Sequence, residues 1–207
     1  MYYNRDRLRG YRSLGALVLA AGVVAAAPAF AGDDGIVTDI KLGVLDHDIG
    51  ILGGHTEHGA DINAEVQFES FVPESAVSGI DPHLRWLLRP APNFGVDGNT
   101  AGLTSQLYFG LAWTADLDTG GMLWPDHAVF FTFGFGPSFN NGKIYAPDTS
   151  DHLSLGGSIL FHEQIEVGYR ITPRWSLSVY FDHSSNAGID RYNAGLDNLG
   201  MRVGLHF

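Results

Sequence analysis

The sequence predicts an all-β protein, an eight-stranded antiparallel transmembrane β-barrel that follows a cleaved signal peptide. Apolar and polar residues alternate through most of the chain. Gly and aromatic residues are abundant, with 27 Gly and 12% Phe, Trp and Tyr. Beyond the leader, no segment supplies the roughly 20 consecutive apolar residues that a membrane-spanning helix requires. A chain that crosses lipid as strands has to close them into a barrel, because an open sheet edge leaves backbone groups unpaired.

The first 31 residues have the pattern of a secretory signal peptide. Four Arg residues between positions 5 and 12 precede an apolar stretch over 14–27. Ala29-Phe30-Ala31 then has the small-x-small pattern of a cleavage site. The alternative is a membrane anchor, but the apolar run is short for a bilayer of roughly 30 Å. We therefore expect a signal peptide at 1–31, export through the periplasm, and a barrel over 32–207.

Alternation at period two predicts the first four strands. The second of them sets apolar residues against Asn, Glu and Gln, and the third is short. These strands lie near 36–45 (Ile40, Leu42, Val44), 61–71 (Ile62, Ala64, Val66), 83–89 (Leu84, Trp86, Leu88) and 103–114 (Leu107, Phe109, Leu111).

The same pattern predicts the other four strands and is most regular at the end of the chain. These strands lie near 129–135 (Phe131, Phe133, Phe135), 157–171 (Ile165, Val167, Tyr169), 175–182 (Leu177, Val179, Phe181) and 198–207 (Met201, Val203, Leu205).

The polar face of the strands decides the class of protein. It carries Glu and Arg of both signs with Gly and small hydroxyl residues between them, a set that can pair inside a narrow barrel. Beyond the leader the chain has only two Lys, Lys41 and Lys143, which is unusual for a sheet that faces water. The terminal Phe207 on an alternating strand is similar to the insertion signal of outer-membrane barrels. The alternative fold is a secreted soluble β-sandwich or calycin.

Charge and composition exclude several function classes. A formal net charge of −11 argues against a protein that tracks the phosphates of nucleic acid, so we expect no nucleic-acid partner. The absence of Cys excludes thiolate catalysis and Cys-ligated metal centres. Three His residues near 47–58 could bind a cation, but their irregular spacing in a Gly-rich segment favours a flexible loop, and we expect no metal.

An even number of strands places both termini on the periplasmic side. The short connection Thr172-Pro173 is then a periplasmic turn, as bacterial barrels prefer. The predicted external loops are 46–60, 90–100, 137–152 and 186–196.

A His, a Ser and an Asp continue the lipid-facing register at the outer end of the last hairpin. Counting by two from Trp175 leads to His183 and Ser185, and counting back from Phe207 leads to Asp197. Residues two apart on a strand are about 6.6–7 Å apart between Cα atoms, a gap that side chains can bridge. This arrangement predicts that His183 takes the hydroxyl proton and Asp197 orients the imidazole. Polar residues are also ordinary at a barrel rim, so a rim without chemistry is the alternative.

The segment Asp182-His183-Ser184-Ser185-Asn186-Ala187-Gly188-Ile189, followed by Asn193-Ala194-Gly195-Leu196-Asp197, resembles the lipid A 3-O-deacylase family (PagL-like, often labelled acyloxyacyl hydrolase). That family has a His-x-Ser-Asn motif and an acidic residue on the last strand. The resemblance is sharp over about 182–207 and weaker over 153–181. It implies an eight-stranded barrel of the Gram-negative outer membrane, and an esterase that removes the 3-hydroxyacyl chain from the 3-position of lipid A in lipopolysaccharide, without a cofactor.

The resemblance also implies a role for each polar residue of this hairpin. Ser185 would be the nucleophile, His183 the base and Asp197 the acid. The supporting residues would be Asn186 and Gly188 as oxyanion donors, and Asn193 in the loop.

One departure from the family pattern concerns the acid. The best-known pattern has Glu where this chain has Asp197, which is shorter by one methylene. We therefore expect either a longer bond to His183 or a shifted backbone. Ser184 counts onto the lumen face and is expected to be a bystander. The alternative function is a non-catalytic small outer-membrane barrel with a binding or structural role, and the sequence leaves open whether two barrels pair as a homodimer.

Overall fold

The computed structural model describes residues 36–117, 129–147 and 150–207, so the predicted signal peptide lies outside the described ranges. Short 3-10 helices at Glu74–Val77 and Pro82–Leu88 lie between the second and third strands. Over these ranges, no helix is long and apolar enough to cross a bilayer. The strands are β1 (Val37–Asp46), β2 (Ala60–Phe68), β3 (Ala91–Asn99), β4 (Gln106–Leu117), β5 (Val129–Asn140), β6 (Ile159–Arg170), β7 (Trp175–Ser185) and β8 (Leu196–His206).

The eight antiparallel strands form a closed barrel, which confirms the predicted fold class. Each strand pairs with its neighbour in the sequence, and β1 pairs with β8 in a register that sets Ile40 opposite Leu205. Closure leaves no sheet edge to be exposed to hydrocarbon. On β7 the outward side chains of Trp175, Leu177 and Val179 are exposed, while Ser176, Ser178 and Tyr180 between them are buried in the lumen.

A paired charge network fills the lumen. The Glu166 carboxylate receives Lys41 Nζ at 2.6 Å and Arg202 Nη2 at 2.6 Å, and Arg202 Nη1 lies 3.4 Å from Glu65 Oε2. All four side chains are buried. A buried charge needs a partner of opposite sign to offset the water that it loses, so this network accounts for the polar face as the inside of a narrow barrel.

The predicted third strand is wrong. Residues 82–88 form the Pro82–Leu88 helix, which starts with Pro and is capped by Asp81 Oδ1 accepting from His83 N at 2.9 Å. The third strand is β3 instead, and its lumen face carries Asn93, Gly95 and Asp97. Gly95 on β3 leaves room for the ring of Tyr108, because a Cβ there would lie 2.2 Å from Tyr108 Cζ.

Two predicted external loops change with this correction. Residues 91–99 of the predicted loop 90–100 are β3, and the connection to β4 is 100–105. The strand β5 extends to Asn140, so the next connection at that end begins at 141 rather than 137. The first external loop is 47–59 and the last is 186–195, close to the predictions.

Candidate functional site

His183 and Asp197 face each other across the last hairpin. The two residues are a cross-strand pair between β7 and β8, and His183 Nδ1 lies 2.5 Å from Asp197 Oδ1. His183 continues the outward register of Trp175, Leu177 and Val179, as the count by two predicts. Direct opposition in the ladder brings the shorter Asp into contact with the imidazole, because directly paired residues on a sheet have Cβ atoms only about 4.5–5.5 Å apart.

The first external loop holds the other oxygen of the same carboxylate. Asp197 Oδ2 accepts from Leu52 N at 2.5 Å and from Gly53 N at 2.9 Å, and Ile49 N donates to the Asp197 carbonyl at 2.8 Å. These bonds fix the rotation of the carboxyl group. A carboxylate that accepts from Nδ1–H leaves Nε2 as the acceptor nitrogen, which is the form that a general base requires.

Two glycines allow the loop to pack this closely. Gly195 has φ +72, and a Cβ on it would lie 3.1 Å from His183 Cε1. A Cβ on Gly53 would lie 2.5 Å from the carbonyl oxygen of Ala194. Larger side chains at either position would push the loop away from the imidazole.

Ser185 ends β7, two residues beyond His183 on the same side of the strand. It is only 8% exposed. Among the described residues, no hydrogen bond joins Ser185 Oγ to a partner. The structure therefore brings His183 into contact with Asp197 but does not place Ser185 Oγ in a hydrogen bond with His183. Ser184 points into the lumen, as predicted, and donates to Gln106 Oε1 at 2.7 Å.

The groups expected to bind an oxyanion are occupied within the loop. The Asn186 side-chain amide donates to the Tyr192 carbonyl at 2.6 Å and to the Leu155 carbonyl at 3.0 Å, and Gly188 N donates to Asn186 Oδ1 at 2.9 Å. Asn186 and Gly188 therefore shape the turn in this structure rather than presenting free donors. Asn193 lies where a loop support is expected, since its Oδ1 accepts from Asn186 N at 2.9 Å.

The backbone N–H of Ala187 is the available donor in this turn. Ile189 N donates to the Asn186 carbonyl at 3.1 Å, and the two central residues, Ala187 and Gly188, have φ of +54 and +75. Positive φ at both central positions is the pattern of a type I′ turn. Within the described ranges the Ala187 N–H has no acceptor, and it lies two residues from Ser185 in the chain.

An apolar groove lies beside Ser185 on the outside of the barrel. Ser185 is the cross-strand partner of Phe161, which lines this groove of about 340 Å³. Sequence reasoning missed the groove because its walls come from three separate segments. The lining residues are Pro137, Gly156, Gly157, Ile159, Leu160, Phe161, Asn186, Ile189 and Asp190.

A buried ionic cluster anchors the first external loop, which differs from the expectation of a flexible loop. His47 Nε2 lies 3.0 Å from Glu57 Oε2, and His47 Nδ1 lies 2.9 Å from Asp61 Oδ2. Glu57 also accepts from Thr104 N at 2.8 Å and Leu153 N at 3.1 Å, which joins three external connections. Within the part of the chain that the structure describes, no three His or acidic side chains are placed to hold a metal ion.

The cluster shifts the pKa of both partners toward the charged forms. Burial by itself would lower the pKa of His47, but the hydrogen bonds that its ring donates to Asp61 and Glu57 raise it to about 9. Burial would raise the pKa of Glu57, but donors from His47, Thr104 and Leu153 lower it to about 2. The loop that holds Asp197 is thus attached through a charged pair.

Comparisons with known proteins bear on the same hairpin. The family model for lipid A 3-O-deacylase (PagL) matches residues 101–206, just over half of the chain. The crystal structure of the outer membrane enzyme PagL has a TM-score of 0.58 and 16% sequence identity, covering 82% of this chain and 99% of that chain. Neisserial surface protein A (NspA) has a TM-score of 0.49 and 9% identity, covering 83% of this chain and 97% of that chain. No curated protein matches the sequence.

The matched range begins before β4 and includes β4 to β8, with His183, Ser185 and Asp197. The likeness to the crystal structure is a likeness of fold, and it agrees with the closed eight-stranded barrel described above. The chain therefore belongs to the lipid A 3-O-deacylase (PagL) family and is a β-barrel of the Gram-negative outer membrane.

Proposed function

We propose that this protein hydrolyses the ester that joins a 3-hydroxyacyl chain to the 3-position of lipid A, using Ser185, His183 and Asp197. The observation that carries the proposal is the 2.5 Å contact between His183 Nδ1 and Asp197 Oδ1 on the outward register of β7 and β8, with Ser185 two residues further along. Membership of the lipid A 3-O-deacylase family supports the substrate.

The reaction starts with proton transfer from the serine. Asp197 accepts the Nδ1–H bond, so His183 Nε2 takes the Ser185 hydroxyl proton while Oγ attacks the ester carbonyl carbon. Collapse of the tetrahedral intermediate breaks the carbon–oxygen bond to the sugar, and the imidazolium returns its proton to the leaving sugar oxygen. Water then attacks the acyl-serine with His183 as base, which releases the 3-hydroxy fatty acid and restores Ser185.

The proposed site also needs a hydrogen bond between Ser185 and His183 and a donor for the oxyanion. The mechanism requires Ser185 Oγ to approach His183 Nε2 when substrate binds, since hydrogen bonds between catalytic groups often tighten only in that complex. The Ala187 N–H, which has no acceptor among the described residues, donates to the developing oxyanion. An unpaired donor held by a tight turn can serve without reorganising, which is the property that oxyanion stabilisation requires.

The surroundings of the site favour a lipid ester. His183 and Ser185 follow the register of the lipid-facing side chains, and the groove beside Ser185 is lined by Pro137, Ile159 and Phe161. Apolar walls suit a hydrocarbon chain because they lose no hydrogen bond when the chain enters. An outer-leaflet lipid can present its ester at this rim without leaving the membrane.

Mass spectrometry of lipid A from cells that express each variant tests the proposal. The wild-type protein is expected to remove one 3-hydroxyacyl group, and Ser185→Ala is expected to remove none. Ser184→Ala is the matched control, since this neighbouring hydroxyl points into the lumen, and it should act like the wild type. Identical spectra from wild type and Ser185→Ala would instead support a non-catalytic surface barrel.

A further inference from the structure

The connection between β2 and β3, residues 69–90, is long for its position. It lies at the end of the barrel that also carries the Thr172-Pro173 turn, the start of β1 and the end of β8. Bacterial outer-membrane barrels have short turns at this periplasmic end. This segment is also partly regular, with 3-10 helices at Glu74–Val77 and Pro82–Leu88.

The Pro82–Leu88 helix has two chemically different faces. His83, Arg85 and Trp86 line a polar cavity at the mouth of the barrel, together with Glu74 and Asp116 from neighbouring segments. Another set of side chains takes no part in that cavity and is exposed: Leu84 by 52%, Leu87 by 47% and Leu88 by 50%. Leu84 and Leu87 lie at i and i+3 and share one face, because a 3-10 helix has about three residues per turn, and the exposed Leu88 follows at the end of the helix.

The helix is fastened to the outside of the barrel. Trp113 on β4 donates from Nε1 to the Leu87 carbonyl at 3.1 Å. Trp113 belongs to the lipid-facing register, and its ring stacks on Phe133 of β5 with 6.1 Å between centroids. The hydrogen bond from Trp113 places the Leu87 backbone beside the lipid-facing surface of β4, next to a Trp of the kind that marks a membrane interface.

Internal bonds hold the segment in this position. Arg85 Nη1 lies 3.2 Å from Glu74 Oε1, and Arg85 Nε donates to the Ile80 carbonyl at 3.0 Å. Arg89 also pairs with Glu74, and its Nε donates to the Val72 carbonyl at 3.0 Å. A braced helix keeps its apolar face presented, whereas an unbraced loop would fold its leucines inward away from water.

We propose that Leu84, Leu87 and Leu88 insert into the phospholipid of the periplasmic leaflet, so that the Pro82–Leu88 helix is an interfacial anchor. The occupant is lipid because the helix lies beside the lipid-facing surface of β4 and next to an interfacial Trp. A short helix with an apolar face toward acyl chains and a charged face toward water lies in the plane of the membrane interface. The anchor fixes the depth of the barrel at the end opposite to the candidate site.

The absence of Cys allows a direct measurement of depth. In lipid nanodiscs, an environment-sensitive fluorophore on Leu84→Cys should be quenched at least about twofold more by phospholipid with a nitroxide near the headgroup than by aqueous iodide. Gly79→Cys is the matched control in the same segment, since a Cβ at Gly79 meets no atom within 4 Å. A fluorophore on Gly79→Cys should be quenched more by aqueous iodide than by the nitroxide lipid.

Two outcomes would overturn the anchor. Equal quenching by iodide at Leu84 and Gly79, with none by the nitroxide lipid, would place the leucines in water. Energy transfer between labels on two chains at Leu84, with no nitroxide quenching, would show that a second copy covers this face. A difference in gel mobility between heated and unheated samples of each variant shows that the barrel is folded, so neither outcome can come from a misfolded sample.

Discussion

Two of the His–Ser neighbourhoods in the barrel, one in the lumen and one at the outer rim, differ in the groups that contact the imidazole. In the lumen, His162 Nδ1 lies 3.1 Å from Ser184 Oγ, and the imidazole stacks on Tyr108 with 4.1 Å between ring centroids. At the outer rim, His183 contacts Asp197 and Ser185 has no hydrogen bond to the described residues. The His162 pair thus has the His–Ser contact without an acid, and the rim has the His–acid contact beside a Ser that is not bonded to the imidazole. A further lumen pair has both contacts, since His206 Nε2 lies 3.0 Å from Ser176 Oγ and His206 Nδ1 contacts Asp39.

The difference shows why a short His–Ser distance is a weak guide to a nucleophile. His162 is buried in the lumen, among charged and polar side chains that are themselves buried. His183 has an acid that sets its tautomer and an outward position on the lipid side. Access from the lipid side, rather than the hydrogen bonds of the imidazole alone, distinguishes the rim site from the lumen pairs.

The largest expected effect contrasts the two histidines. Removing a base that works together with its nucleophile costs orders of magnitude, so His183→Ala should lower the deacylation rate by about 10³-fold or more. His162→Gln removes the matching ring from the lumen and should leave the rate within about threefold, since surface access is unchanged. Rates on lipid A in mixed micelles measure both. A comparable loss from His162→Gln would contradict the distinction between rim and lumen.

Substitutions of Asp197 should have the next largest effect on the deacylation rate. Asp197→Asn keeps the shape but favours the wrong imidazole tautomer, so the rate should fall by roughly 10²–10⁴-fold. Asp197→Glu introduces the acid of the best-known family pattern, yet the rate should fall by about tenfold rather than rise. The reason is that Asp197 Oδ2 already fits the amides of Leu52 and Gly53, and a longer side chain displaces that loop. A rate at or above wild type for Asp197→Glu would show that the loop contacts do not matter.

Glu57 should affect stability more than chemistry. Glu57→Gln leaves a buried charged His47 with one ionic partner fewer, and breaking such a pair costs about 3–5 kcal/mol. The free energy of unfolding in urea should fall by this amount. The exposed Glu69→Gln is the control and should change it by less than about 0.5 kcal/mol. Equal effects of the two substitutions would mean that the cluster does not hold the loop.

The pKa shifts predict the pH range in which the cluster stabilises the fold. The pKa of His47 is raised from 6.5 to about 9, so its contribution is complete below pH 6.5 and is lost as pH rises through about 9. The pKa of Glu57 is lowered from 4.5 to about 2, so its contribution is present above pH 4.5 and is lost as pH falls through about 2. The stability difference between wild type and His47→Gln should therefore shrink between pH 6 and pH 10. A constant difference would contradict the pairing.

The smallest effect concerns the turn after Ser185. Ala187 has φ +54, and left-handed backbone costs a non-glycine residue roughly 1–2 kcal/mol. Ala187→Gly should raise the free energy of unfolding by up to about 1 kcal/mol and leave the rate unchanged, because the N–H is retained. A large loss of activity would indicate that the methyl group, rather than the N–H, acts at the site.

Most of the barrel could be predicted because apolar and polar residues alternate along most of its strands. Where outward residues are large and apolar, as on β7 and β8, the alternation is visible and gives the register. It failed at β3 because the face alternate to the lumen, Pro92, Phe94, Val96 and Gly98, has only two large apolar side chains. It also mistook Leu84, Trp86 and Leu88 for a strand, since a short helix can show period two by chance.

The candidate site was predictable only in part. Counting along two strands placed His183 opposite Asp197, because a hairpin register is a local property. The bonds from Leu52 and Gly53 to Asp197 join segments that are far apart in the chain, and no local pattern reports them. Likewise, the motif proposed Asn186 and Gly188 as donors without showing that Tyr192 and Asn186 itself already occupy them.

The most direct test of the central claim is covalent capture of the nucleophile. A fluorophosphonate with a long alkyl chain, applied to the folded protein in lipid, should add one label per chain. Peptide mass spectrometry should locate it on Ser185, and His183→Ala should abolish it. A label on Ser184, or no label on Ser185 in a preparation that deacylates lipid A, would contradict the account.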